Sequence, residues 1–226
     1  MKPLITALLF ILTASIGVAQ SNSTIALQKF TELKVYDRIS VTLVPGNENK
    51  IVIRSEHKKD IGVIEGDGHL RLKMATTDFL GATTMNVQLH YTEALSVINA
   101  NKNSRIISTG LVKGTSLTIE AQDASTITLN VAYDDITAKS TSGSEIKLSG
   151  TATYQNVTTN TGGKAYNKGL KTKNSLVMVL GGGFAEIHAS EKAVAKVKAG
   201  GAITIYGHPK IIDKDDTFGG KIAVIE

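Results

Sequence analysis

The sequence predicts an all-β chain folded as a parallel β-helix, a solenoid of about six coils of ~20 residues with an N-terminal β-strand cap region. Three observations carry this. A frame reading small, small, any, aliphatic or Ala, any, aliphatic recurs at Asn103, Ala124, Gly143, Gly162, Gly182 and Gly200. Its fourth positions, Ile106, Ile127, Ile146, Ala165, Ala185 and Ile203, are separated by 21, 19, 19, 20 and 18 residues, a solenoid period. Finally, Thr, Ser, Val, Ile and Gly dominate with no 3.6-residue periodicity, which excludes a helical repeat.

The elements follow in chain order. Lys2, the apolar stretch Leu4 to Val18 and Gly17-Val18-Ala19 read as a cleaved secretory signal over residues 1–19. That stretch carries Thr6, Thr13 and Ser15 and falls short of the ~20 residues of a spanning helix. No transmembrane segment is expected in the mature chain. Residues 20–29 read as a linker, and residues 30–210 as one domain.

Within that domain, 30–92 supplies an N-terminal β part. Strand-like runs occur at Leu33–Val35, Ile39–Val44, Ile51–Arg54, Leu70–Met74 and Val87–Tyr91. Asp67-Gly68 between Val63-Ile64 and Leu70-Leu72 signals a tight hairpin.

The repeat solenoid spans 93–207. Eight and six residues before each anchor stand apolar or small residues, from Ile98/Ala100 to Ala195/Val197. Seven and five before it the residues are polar in five of six coils, so one strand face stays inside. The small pairs form the corners. Gly207-His208-Pro209 is expected to close the last repeat, because Pro donates no ladder hydrogen bond. In the tail 211–226, Asp213-Lys214-Asp215-Asp216 reads as a surface loop and Lys221 to Ile225 as a capping strand.

Composition narrows the function. The 226 residues include no Cys, which removes disulfides, thiolate metal sites, Cys nucleophiles and lipid attachment at a signal junction. The formal charge of +5 is scattered and Trp is absent, so nothing resembles a nucleic-acid surface.

The order and spacing of Phe30-x-x-Leu33-x-Val35, Asp67-Gly68-x-Leu70, the Gly-[Ser/Gly]-x-[Ile/Ala] corners and Gly207-x-Pro209 resemble one family. It is the putative auto-transporter adhesin head GIN domain family of secreted Gram-negative proteins, over roughly residues 30–210. The resemblance implies a right-handed parallel β-helix in the periplasm, at the cell surface or outside the cell. It carries over no catalytic residues. Asn103 and Ala124 replace the corner Gly of later coils, and the apolar run 176–180 breaks the alternation.

Candidate sites are few. A polysaccharide-acting β-helix enzyme, lyase or hydrolase, needs acids on neighbouring coils. Asp134 and Asp135 adjoin, whereas Glu120, Glu145 and Glu186 fall in different columns. His57, His69, His90, His188 and His208 lack metal-ligand spacing, and no Gly-x-Ser-x-Gly elbow occurs. No catalytic, metal or cofactor site is therefore assigned. Tyr133 and Tyr154, three before Ile136 and Val157, are candidates for an aromatic platform holding a sugar ring. Met178, Leu180 and Phe184 form a candidate interface inside a polar rim. The expected function is a non-catalytic secreted or envelope module, adhesin-like or structural, with a glycan or cell-surface partner. A self-associating homo-oligomeric solenoid and the enzyme are the alternatives.

Overall fold

The computed structural model describes residues 23–53, 60–75 and 84–225. The expected signal segment 1–19 and His57 lie outside them. Seventeen strands occur among the described residues. The first seven are β1 (Ser23–Ala26), β2 (Glu32–Val35), β3 (Ile39–Pro45), β4 (Lys50–Ile53), β5 (Ile61–Gly66), β6 (His69–Met74) and β7 (Met85–Tyr91). Next come β8 (Val97–Ala100), β9 (Arg105–Lys113), β10 (Ser116–Ala121), β11 (Thr126–Thr141) and β12 (Glu145–Asn160). The last five are β13 (Lys164–Leu180), β14 (Phe184–Lys198), β15 (Ala202–Tyr206), β16 (Ile211–Thr217) and β17 (Lys221–Val224). The chain is a β-solenoid of about seven turns, running from β8–β9 to β16–β17.

The anchor residues stack as the frame requires. Ile106, Ile127, Ile146, Ala165, Ala185, Ile203 and Ile222 are Cα partners from rung to rung. A second ladder runs Leu33, Ile98, Ile119, Ala138, Val157, Val177 and Ala195. All of these but Ile222 are buried. Parallel pairing at ~4.8 Å lets each coil cover the next, so a narrow aliphatic column becomes a continuous core.

Two kinds of corner turn the chain. The first places two successive residues in the left-handed region: Lys102/Asn103, Asp123/Ala124, Ser142/Gly143, Thr161/Gly162, Gly181/Gly182 and Ala199/Gly200. The following serine, Ser104, Ser125 or Ser144, is buried in the earlier coils, and the hydroxyls of Ser104 and Ser144 close their corners. Ser144 Oγ accepts from Thr141 N at 3.0 Å and donates to the Ala121 carbonyl at 2.7 Å. Within β11 to β14 the second corner has no small-residue signature. There the inward phase slips by one residue, from Ala152 to Gln155 in β12, and the strand continues through the bend. Each turn therefore reads as one strand of 15–17 residues in β11 to β14.

The N-terminal part is more than a cap. β2 pairs in parallel with both β6 and β8, and β3 with both β7 and β9. Two further rungs thus extend the parallel stack. Antiparallel β4 and β5 cover β7 and β6, and β1, within the expected linker, covers β4. Asp67 and Gly68, at φ 49° and 78°, make the hairpin turn expected between β5 and β6.

The C-terminal end departs from the sequence reading. Gly207-His208-Pro209 does not close the repeat, because β16 pairs with β14 and β17 with β15. The acidic-basic stretch expected as a loop is β16, exposed along its length. Register places Lys214 and Asp216 over Ala195 and Val197, in the inward columns. A last rung has no coil beyond it to bury an apolar face, and charges in those columns blunt the open edge. That is why its alternation is absent from the sequence.

Candidate functional site

Outward columns are fixed by the same register that fills the core. Across β11, β12, β13 and β14 one column holds Asp135, Tyr154, Asn174 and Lys192. The adjacent column, two residues along each strand, holds Thr137, Asn156, Leu176 and Val194. These eight line a cleft of about 580 Å³ just past the second corner. Tyr154 is 53% exposed and Leu176 41%. The outward pointing of Tyr154 follows from the phase slip at the bend, which buries Ala152 and Gln155 on either side.

The expected tyrosine platform does not form. Tyr133 pairs with Ala152, and Tyr154 with Asp135, because the two coils are offset by 19 residues rather than 21. Tyr133 is buried, its hydroxyl donating to the Leu95 carbonyl at 2.8 Å. Burial pushes its phenol far up, and that of Tyr91 up to about 12.

The three interface residues are divided. Met178 and Leu180 stand half-buried on the outer face of β13, Met178 between Thr158 and Lys196. Leu176 precedes them on the same face. Phe184 lies beyond the Gly181–Gly183 corner, where its ring meets Tyr166 at 5.6 Å and 49°. Tyr166 follows the anchor Ala165 whereas Phe184 precedes Ala185, so the two rings meet diagonally across adjacent rungs and no single column of the sequence pairs them.

Acids stay dispersed and mostly paired. Glu120 accepts from Asn99 Nδ2 at 2.9 Å, Glu145 pairs with Lys164 at 3.2 Å, and Glu186 accepts from the Tyr206 hydroxyl at 3.3 Å. Among the described residues, no group of three or more His, Asp or Glu is placed to hold a metal ion. His69 meets Glu32 at 2.7 Å. Burial, together with the Lys171 charge, holds the His188 imidazole below its ordinary 6.5. No described helix is long and apolar enough to cross a membrane.

The sequence reading missed a polar knot inside the solenoid. Gln155 Nε2 donates to Ser175 Oγ at 2.9 Å and to the His188 carbonyl at 3.3 Å, while Gln155 Oε1 accepts from Asn167 Nδ2 at 3.3 Å. Thr172 and Ser175 share a hydroxyl contact at 2.9 Å. All four partners lie at or near the second corner and are buried, so the bend is held by side chains rather than by a turn sequence.

Fold and surface together define a parallel β-solenoid module with free outward columns. The chain belongs to the family described as putative auto-transporter adhesin, head GIN domain, whose model matches residues 29–209. A crystal structure of a putative adhesin from Bacteroides fragilis is similar at TM-score 0.81 and 17% identity, covering 91% of this chain and 96% of that one. A putative adhesin from Parabacteroides merdae aligns at TM-score 0.66 and 18% identity, over 91% and 96%. A protein described as a putative lipid binding protein, from Parabacteroides distasonis, aligns at 0.69 and 13% over the same shares. No curated protein matches the sequence.

Proposed function

We propose that the chain is a non-catalytic, adhesin-like binding module, exported by residues 1–19 to the envelope or the exterior of a Gram-negative cell. One observation carries this reading: the cleft across β11 to β14 exposes Tyr154 and Leu176 among polar side chains that play no part in joining the coils. Membership in a family described as an adhesin head supports it. Purified mature protein on beads is expected to attach to cell surfaces above a bead-only control. Absence of attachment, with release of reducing or unsaturated sugar from polysaccharide, would replace this reading by the enzyme.

A second reading, self-association, is favoured by Met178 and Leu180 standing outward beside Lys196 and Lys198. It predicts an oligomer that Met178→Lys with Leu180→Lys dissociates without loss of fold. A monomeric wild type by sedimentation would refute it.

A further inference from the structure

The cleft past the second corner has an uneven chemistry. Its two middle rungs each set one apolar group beside one amide, Tyr154 with Asn156 on β12 and Leu176 with Asn174 on β13. Asp135 and Thr137 stand at one end, on β11, and Lys192 and Val194 at the other, on β14. The side chains of Asp135, Thr137, Asn156, Asn174 and Lys192 form no hydrogen bond or ion pair with the rest of the described chain. Four rungs at ~4.8 Å set these groups at regular steps along the solenoid axis.

We propose that this cleft binds a short oligosaccharide lying along the axis, its sugar C–H face on Tyr154 and its hydroxyls on the polar groups beside it. The proposal rests on the binding-module reading above and names the ligand class. A sugar ring offers an apolar face edged by hydroxyls, and on each middle rung an apolar group stands beside an amide able to meet them. Asn156 and Asn174 each supply a donor pair and an acceptor, Asp135 accepts and Lys192 donates. Other occupants fit less well. A purely apolar surface would bury these five polar groups without partners, an uncompensated desolvation that opposes binding. An extended peptide cannot add as a strand, because β11 to β14 are paired on both sides. A polyanion meets Asp135 at one end as well as Lys192 at the other.

The test is an array of neutral gluco-, manno- and N-acetylglucosamine oligosaccharides, followed by calorimetric titration of the mature protein with the best binder. Binding is expected, and Tyr154→Ala or Asn174→Ala should weaken it about tenfold, equivalent to about 1.4 kcal/mol. Tyr166→Ala, on another face, should leave it unchanged. Circular dichroism of the variants shows that the fold is retained, as the exposure of Tyr154 leads one to expect. Absence of binding to every oligosaccharide overturns the proposal. So does binding that survives both cleft variants, or a protein partner whose binding the Tyr154 variant abolishes. If coated beads attach to cells equally with wild type and Tyr154→Ala, the sugar site fails while the binding-module reading stands. If nothing attaches, both fail.

Discussion

Two neighbouring glycines at one corner separate backbone conformation from coil spacing. Gly162 has φ +71° with nothing within 4 Å of an added Cβ. Alanine there costs only the left-handed conformation, about 1 kcal/mol, and Ala124 already tolerates φ 58° at the equivalent place. At Gly163 an added Cβ would stand 2.1 Å from the Ser140 carbonyl oxygen and 2.5 Å from its carbon. Those are backbone atoms of the adjacent coil and cannot rotate aside. The coils must part by about 1 Å to restore ordinary contact. Parting strains the bond from Lys164 N to the Ser144 carbonyl at 2.9 Å and that from Lys164 N to Ser140 Oγ at 3.1 Å. Overpacking at ~1–3 kcal/mol plus one weakened hydrogen bond gives about 3 kcal/mol for Gly163→Ala. Urea unfolding followed by far-ultraviolet circular dichroism measures both variants. Gly163→Ala should lower the midpoint about three times as far as Gly162→Ala. Equal shifts would refute the argument, since they would mean the coils separate freely at this corner.

Three further outcomes are expected. Ser144→Ala leaves the Thr141 N–H and the Ala121 carbonyl without their hydroxyl partner, costing about 2 kcal/mol by urea titration. Raised phenol values favour the folded state fully below 10.0, and that stability is lost as pH rises through about 12 for Tyr91. Alkaline unfolding should therefore fall within that window and shift to higher pH in Tyr91→Phe, as tyrosinate absorbance would register. Lys214→Val with Asp216→Val should remove the charges from the inward columns of β16 and produce concentration-dependent association by light scattering.

The period of the frame, its small corner pairs and the alternation before each anchor determined the parallel stack, because every coil must bury the same columns against its neighbours. Even the seventh turn is written in Phe218-Gly219-Gly220-Lys221-Ile222, which repeats the corner and its anchor. The neighbouring β16 hid that turn, since a terminal rung has no apolar duty. The β2–β3 rung was likewise obscured, because it sits in space between β6–β7 and β8–β9, against chain order.

What only the tertiary structure decided is the register past the second corner. No turn residue marks that bend in β12 and β13; a one-residue slip, held there by Gln155, Asn167, Thr172 and Ser175, sets which side chains face out. A two-residue error there pairs Tyr154 with Tyr133. The true register buries Tyr133 against Leu95 and leaves Tyr154 open beside Asp135 and Asn174. Core columns repeat along the chain because each coil buries the same surface, and so sequence shows them. An outward column is assembled from residues about 20 apart whose only relation is stacking, and stacking is settled by the bends.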